Sequence, residues 1–218
     1  MRIEFGDIEK ATQSDPEWKR VFDWGNQIAG HDINHFKVEL NSPLYKWVSK
    51  AEETLLAGIG NISAELMNLA GVAISGANGC AYCFGAWCRI LDHADLTPED
   101  KLSSLIRYGA DSPLLSPKEH DVIAFVLKAQ LEPENITDED LDRLRAHGLD
   151  NSDLLNLVHL IDIVSFSNRV NTVFKTRYDE SYKDVLRKFA PDPEQNLAEP
   201  FTRMMKDVND RRALGDGY

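Results

Sequence analysis

Apolar segments along this chain carry the start and stop signals of helices. Ser63 predicts the start of an apolar helix that runs to about Ala77, with Glu65 in its first turn. Asn151-Ser152 opens a longer apolar helix that runs through Phe174. The sustained alternation and hairpin turns that indicate strands do not occur in the sequence. The pattern therefore predicts an all-α protein.

Five further helices are predicted from similar signals. They run from Cys80 to about Asp92, from Thr97-Pro98-Glu99-Asp100, from the capping box at Ser116-Pro117-Lys118-Glu119, from Thr137 to Gly148 and from Tyr182 to Phe189, and a last helix is predicted near Phe201 to Val208.

A weak internal repeat joins the two apolar helices, because residues 65–69 (Glu-Leu-Met-Asn-Leu) resemble residues 153–157 (Asp-Leu-Leu-Asn-Leu). The repeat is either a common way to begin a helix or the mark of two related helical halves. Residues 1–42 have a mixed composition and are predicted to be an N-terminal extension packed on the body. Residues 43–218 are predicted to form the main helical domain.

Composition narrows the classes of function. The formal net charge of −12 over 218 residues argues against a nucleic-acid surface and against adhesion to anionic lipid. The first residues, MRIEFGDIEK, lack the apolar core of a signal peptide, and no apolar run approaches the roughly 18 residues of a membrane span. The three cysteines are clustered in one short segment and do not resemble the disulfide framework of a secreted protein. We therefore expect a cytoplasmic protein.

The cysteines lie within the segment NGCAYCFGAWC, residues 78–88. If a helix begins at Cys80 after the break at Asn78-Gly79, Cys80 and Cys83 both lie in its first turn, on one face. Unpaired backbone N–H groups and the helix dipole favour a thiolate there, and two such sulfurs can form a disulfide. The spacing thus indicates an accessible redox pair, suited to a two-cysteine peroxidase or a thiol–disulfide exchanger.

Two other interpretations of the cysteines stay open. Cys80, Cys83, Cys88 and His93 have zinc-knuckle-like spacing, although residues five apart on one helix, such as Cys83 and Cys88, point about 140° away from each other. Alternatively the cysteines are small core residues, which is the interpretation we prefer for Cys88.

A pair of histidines could also be read as a metal motif. His31 and His35 are four residues apart, as in H-E-x-x-H, but the acid between them is Asp32 and Gly30 precedes the pair. We expect both histidines to lie on the surface.

The segment from Ser75 to Cys83, with its S-x-x-N-G before C-x-x-C, resembles the signature of the alkylhydroperoxidase D-like family within the carboxymuconolactone decarboxylase superfamily. The segments from Leu115 to Gly148 and from Phe166 to Val170 resemble the second half of its peroxidase-related branch. The resemblance implies an all-helical fold of two related halves, assembled as dimers, trimers or hexamers. It also implies that Cys80 and Cys83 cycle between dithiol and disulfide while reducing peroxides. A thiol reductant or dithiol adaptor protein would restore them, with no metal or organic cofactor.

The sequence departs from the family at two positions. The family histidine four residues after the second cysteine is Trp87 here, and the glutamate twelve residues before the first cysteine is Asn68. Without a base, a thiol of ordinary pKa, about 8.5, is only slightly ionised at neutral pH. Glu65, one turn before Asn68, and His159 in the long second-half helix are the candidate substitutes.

The leading hypothesis is a thiol-dependent peroxidase-like oxidoreductase with catalytic Cys80, Cys83 and Glu65, in which Cys83 attacks and Cys80 resolves. The alternative is a family member that has lost its catalysis and acts as an oligomeric binding or structural module, because both acid–base positions are changed. A lactone decarboxylase has less support, since no base is placed for that substrate.

Overall fold

A computed structural model of the chain describes residues 1–190 and 196–202. Within these ranges the protein is built from helices and one two-stranded antiparallel ribbon, which confirms the predicted all-α fold. The helices are α1 (Ile8–Ser14), α2 (Pro16–Ala29), α3 (Asn34–Glu39), α4 (Tyr45–Leu56), α5 (Ala64–Ala77), α6 (Ala81–His93), α7 (Glu99–Tyr108), α8 (Pro117–Leu131), α9 (Asp138–Ala146), α10 (Asn151–Phe174) and α11 (Glu180–Phe189), the strands are β1 (Gly58–Ile59) and β2 (Ile62–Ser63), and two short 3₁₀ turns cover Gly109–Asp111 and Pro133–Asn135.

The predicted helix starts of the main body are found close to the predicted residues. The hydroxyl of Ser63 accepts from the backbone N–H of Leu66 at the start of α5. Ser116 and Thr137 each close a capping box, and α10 spans the predicted range. These starts could be predicted because a cap is a local hydrogen bond that depends on four adjacent residues. The helix predicted near Phe201 to Val208 lies mostly outside the described residues.

Helices α1 to α4 were not predicted. Asp7 and Asp15 cap α1 and α2 through their side chains, and Pro16 occupies the first position of α2. Their amphipathic faces cover the body, since α2 packs on α4 and α6. The backbone N–H of Gly6 donates to the carbonyl of Lys37 and so fixes the first residues against α3.

Helix α5 is the centre of the fold. Every residue from Leu66 to Gly76 is buried, and α5 packs on α6, α8 and α10. The tight turn after α5 makes α6 antiparallel to it, and Gly71 lies directly against the ring of Trp87. The two backbones therefore approach closely where a residue without a side chain faces a large ring. Among the described residues, no helix is both long and apolar enough to cross a membrane.

We expect Gly71→Ala to destabilise the protein, because the added Cβ would lie 2.5 Å from the Trp87 ring. Overpacking of this kind costs about 2 kcal/mol, which exceeds the gain of about 1 kcal/mol from the better helix propensity of alanine. Urea unfolding measures the change. In a Trp87→Leu background the ring is gone, and Gly71→Ala should then cost little or stabilise. An equal cost in both backgrounds would contradict this account of the helix contact.

Candidate functional site

The turn between α5 and α6 creates the site. Gly79 has φ +65°, a left-handed conformation that glycine adopts without strain. The chain reverses there, and the backbone N–H of Cys80 donates to the carbonyl of Ser75 at 3.0 Å. Cys80 therefore becomes the N-cap of α6, and the first turn of that helix starts inside the protein.

Cys80 and Cys83 lie together at this helix start, as predicted. They are joined by a disulfide, with their Cα atoms 5.3 Å apart. Cys80 Sγ also accepts from the backbone N–H of Cys83 at 3.3 Å, the hydrogen bond that an N-cap side chain makes. Such a donor stabilises a thiolate when the disulfide is reduced.

The pair is more buried than the sequence indicated. The exposed fractions of Cys80 and Cys83 are 3% and 4%, so the expectation of an accessible pair is wrong for the side chains themselves. Cys80 lines a cavity of about 200 Å³. The other residues that line it are Ser75, Gly79, Ala81, Phe84, Asn196, Leu197 and Ala198. Cys80 therefore borders this cavity, and Cys83 is not among the residues that line it.

The inner side of the pair is polar. Asn171, on α10, is buried and its Nδ2 donates to Cys83 Sγ at 3.4 Å. One turn earlier, Asn168 donates to the hydroxyl of Ser75 and accepts from the side chain of Asn78. Amide side chains of α10 therefore fix both the turn and the second cysteine.

Behind Asn171 lies a cluster of buried titratable side chains from α3 and α4, which we call the N-terminal polar cluster: His35, Glu39, Tyr45 and Glu52. His35 Nε2 is 3.9 Å from Glu39 Oε1, and the Tyr45 hydroxyl donates to Glu52 Oε2 at 2.7 Å. The rings of His35 and Tyr45 meet edge to face at 5.1 Å. The expectation that His35 lies on the surface is wrong, because α3 turns it into the core. His31, outside α3, is half-buried beside Asp179.

Burial shifts the protonation of this cluster. It raises the pKa of Glu52 to about 7, although the Tyr45 hydrogen bond acts in the opposite direction. Burial and the nearby Glu52 charge raise the pKa of Glu39 to about 7. Burial lowers the pKa of His35 to about 4, against the opposing effect of Asn171. At neutral pH the histidine is therefore neutral and both carboxyl groups hold a proton part of the time.

Tyr82, inside the C-x-x-C segment, connects the site to the starts of α3 and α11. Its hydroxyl accepts from the backbone N–H of His35 at 2.9 Å and donates to Asp179 Oδ2 at 2.7 Å. Asp179 also accepts from the backbone N–H of Asn34. The start of α3, the site helix and the start of α11 thus share one buried hydrogen-bond network.

Asn68 and Trp87, which the sequence resemblance matches to the acid–base positions of the family, have structural contacts. The Nδ2 of Asn68 donates to the carbonyls of Leu56 and Ala64, which ties the end of α4 to α5. Trp87 is buried against Gly71. Both residues are accounted for by packing between helices.

Glu65 is not placed to serve the cysteines, so its predicted catalytic position is wrong. Its Oε1 accepts from Lys101 and from the Thr97 hydroxyl, each at 2.8 Å. Thr97 follows the far end of α6, whereas Cys80 begins it. Because a helix rises about 1.5 Å per residue, Glu65 and Cys80 lie near opposite ends of α5. The one-turn spacing from Asn68 predicted the face of α5 that carries Glu65, but it did not predict which end of α5 lies beside the cysteines.

The remaining candidates are dispersed. His159 has an exposed side chain on α10 and is neither a core residue nor a neighbour of the pair within this chain. Cys88 is a free, fully buried thiol, as predicted. His93 contacts Arg89, and no group of three or more potential metal ligands occurs in residues 1–190 and 196–202. The four residues of the zinc pattern therefore do not assemble.

No protein-family model matches the sequence, and no curated protein is significantly similar. Solved structures are similar in fold. A protein described as an alkylhydroperoxidase AhpD core, an uncharacterized peroxidase-related protein from Ralstonia eutropha JMP134, superposes with a TM-score of 0.72 at 19% identity, covering 83% of this chain and 93% of that one. The debrominase Bmp8, as a cysteine-to-alanine variant in complex with 2,3,4-tribromopyrrole, superposes with a TM-score of 0.73 at 18% sequence identity. The match covers 87% of this chain and 97% of Bmp8.

An uncharacterized peroxidase-related protein from Silicibacter sp. TM1040 gives a TM-score of 0.65 at 18% identity, covering 77% of this chain and 87% of that one. Together these similarities confirm that the chain has the alkylhydroperoxidase D-like fold that its cysteine segment predicted.

We expect the oxidised protein to show no reactive thiol in its native state and one per chain after unfolding. Cys80 and Cys83 are joined, and burial raises the pKa of Cys88 far above its ordinary value. Titration with Ellman's reagent in buffer and in denaturant counts the thiols, and prior reduction should raise the denatured count to three. One reactive thiol in the native oxidised protein would show that Cys88 is not sealed in the core.

We expect Glu52→Gln to gain stability relative to the wild type as pH rises. The folded pKa of Glu52, about 7, exceeds the ordinary value of 4.5, so between these values the native state keeps a proton that the unfolded state releases. The free energy of unfolding therefore falls as pH rises through this window. Glutamine removes this loss and still accepts from Tyr45.

Urea unfolding at pH 5 and pH 8 should show a relative gain of about 2 kcal/mol for Glu52→Gln. The contribution of His35 is common to both proteins and largely cancels. Glu134→Gln, at an exposed carboxyl group, is the matched control and should show no such gain. Parallel pH profiles for the wild type and Glu52→Gln would mean that Glu52 ionises normally in the fold.

Proposed function

We propose that this chain, which has the alkylhydroperoxidase D-like fold, is a thiol-dependent peroxidase-like oxidoreductase. The observation that supports this proposal most strongly is the sulfur–sulfur bond of Cys80 and Cys83 at the start of a helix, beside a cavity. The residues and the fold together support a redox role. Reduction of peroxides in particular is the proposal.

The reaction starts from the reduced pair. The thiolate of one cysteine attacks the O–O bond of a hydroperoxide, which gives a sulfenic acid and releases the alcohol after it takes up a proton. The second thiol then attacks the sulfenic sulfur, so that water leaves and the disulfide forms. A dithiol reductant finally exchanges with the disulfide and restores both thiols. The peroxide gains two electrons, which the reductant supplies in the last step.

Cys83 is the proposed nucleophile and Cys80 the resolving thiol. Cys83 receives a side-chain donor from Asn171, while Cys80 faces the cavity. In this division of roles the thiol reductant exchanges with Cys80, the cysteine that lines the cavity. The arrangement therefore supports this division of roles.

The proposed partners follow from this chemistry. A small dithiol or a dithiol adaptor protein supplies electrons, and a reducing cytoplasm suits a pair that must return to the thiol form. The resemblance to the family supports a homo-oligomer, and the chemistry above uses no metal or organic cofactor.

A second candidate reaction is suggested by the structural similarity to the debrominase Bmp8. A dithiol can also reduce a brominated aromatic ring, so that the C–Br bond becomes C–H, bromide leaves and the pair ends as a disulfide. The cavity beside Cys80, with Phe84 in its wall, can admit a small ring. Bromide release from a brominated pyrrole distinguishes this reaction from peroxide reduction.

We expect Cys80→Ser and Cys83→Ser each to abolish peroxide consumption with dithiothreitol as reductant, because each removes one sulfur of the pair. Cys88→Ala, the matched control, should keep the activity, since Cys88 lies outside the pair. A peroxide electrode gives the rates. Thiol counting after peroxide treatment should show a disulfide that dithiothreitol reverses only when both Cys80 and Cys83 are present. Absence of that reversible disulfide in the wild type would leave the binding-module alternative in its place.

A further inference from the structure

We propose that His35, supported by Glu39, positions Asn171 so that its side-chain N–H stabilises the thiolate of Cys83. In this arrangement a part of the active site comes from the N-terminal helix α3. The inference rests on the proposed function, because it assigns how the thiol of that same site is held ready.

The first step is the contact at the sulfur. Asn171 Nδ2 donates to Cys83 Sγ at 3.4 Å, and both side chains are buried. A side-chain amide donor in a water-poor site stabilises a charged acceptor more than a neutral one. The backbone N–H of Cys83 is engaged with Cys80 Sγ, so Asn171 is the side-chain donor that the structure assigns to Cys83.

The second step is what holds Asn171. Its Oδ1, both ring nitrogens of His35 and Oε1 of Glu39 are all buried, and these four atoms make no hydrogen bond of good geometry within the described residues. Buried polar atoms without partners are rare in proteins, so four of them on three side chains need a physical explanation. The Asn171 side chain acts on the pKa of His35 in the raising direction, against the larger effect of burial.

The third step is the direction of the donors. Burial lowers the pKa of His35 to about 4, so the ring is neutral and carries one N–H. Burial raises the pKa of Glu39 to about 7, so its carboxyl group carries a proton part of the time. The carboxyl oxygen lies 3.9 Å from a ring nitrogen of His35, and the proposed hydrogen bond forms when the two side chains move about 1 Å closer. The other ring nitrogen then donates to Asn171 Oδ1. Every hydrogen in this chain points toward Cys83, and such chains polarise one another.

The groups around His35 are compatible with this arrangement. They are Glu39 on its own helix, Tyr45 and Glu52 on α4, Tyr82 on α6 and Asn171 on α10. Tyr45 is committed to Glu52, and Tyr82 to Asp179. The Tyr82 hydroxyl meanwhile accepts from the backbone N–H of His35 and so fixes the start of α3 against the site helix. Asn171 is therefore the partner left for the ring of His35.

The arrangement takes the place of the acid–base pair that Asn68 and Trp87 no longer supply. His35 and Glu39 touch neither the sulfur nor a substrate, so they are positioning residues. These residues take no proton from Cys83, and they lower the cost of the charge that remains when its thiol ionises.

The test measures the thiol pKa of Cys83 in reduced protein that carries Cys80→Ser. Absorbance of the thiolate at about 240 nm, or the iodoacetamide rate, is followed against pH; Cys88 stays silent because it is fully buried. Asn171→Leu should raise the pKa of Cys83 by about one unit, or lower the alkylation rate about tenfold at neutral pH. His35→Phe should raise the pKa of Cys83 by the same amount as Asn171→Leu or by less.

Conservative variants separate positioning from packing. His35→Gln keeps a donor for Asn171, so the pKa of Cys83 should stay close to the wild-type value. Glu39→Gln should also keep that pKa, whereas Glu39→Leu should raise it. His31→Gln, on the same segment but directed at Asp179, is the matched control and should leave the pKa unchanged. Circular dichroism shows whether each variant is folded. If Asn171→Leu does not fold, Asn171→Asp takes its place, and we expect it to raise the pKa of Cys83 by more than the leucine variant would.

An unchanged pKa of Cys83 in folded Asn171→Leu or folded His35→Phe would overturn this inference. So would equal shifts for His35→Phe and His35→Gln. Neither result bears on the proposed function, which fails only if the wild-type pair forms no reversible disulfide with peroxide. The thiol titration needs no turnover, so the two failures are distinguishable.

Discussion

The close antiparallel packing of α5 and α6 is the constraint on which the site depends. Gly79 allows the chain to reverse within three residues, and Gly71 allows the Trp87 ring to lie against the α5 backbone. Because α5 is buried along nearly its whole length, the helix that follows it must also begin inside the protein. The first turn of α6, with its unpaired N–H groups, is therefore formed where little water reaches it, and that is where the two sulfurs lie.

A helix start inside a protein must satisfy its polar groups with other parts of the chain. Here Cys80 caps the helix with its own sulfur, and α10 contributes amide side chains to the turn and to Cys83. The Tyr82 hydroxyl connects the same helix to the chain segments before α3 and α11. The residues that hold the helix start are thus also those that set the environment of the redox pair, so stability and chemistry share the same hydrogen bonds.

The parts of the fold that depend on adjacent residues could be predicted from the sequence, and the parts that depend on distant contacts could not. The capping box at Ser116, the helix start at Thr137 and the position of Cys80 and Cys83 at a helix start are local features, and the structure confirms these predictions. The burial of His35 depends on how α3 packs beside Tyr45 and Asn171, which no local pattern contains. Glu65 was misplaced for a related reason, because helical spacing specifies the face of a helix but not which end meets the partner.

Asn68 and Trp87, the residues that the sequence resemblance matches to the family's acid–base positions, have packing contacts in this fold. Both residues strengthen the packing around α5, and a charged glutamate or a histidine in the same places would need its own buried partners. The N-terminal polar cluster on α3 and α4 includes a histidine and two glutamates, and we propose that Asn171, which donates to Cys83, connects it to the sulfur. Asn68 and Trp87 at these positions therefore do not by themselves imply that the chain is inactive. What matters is whether the fold supplies a donor to the thiolate, and residues far apart in the sequence are brought together to do so.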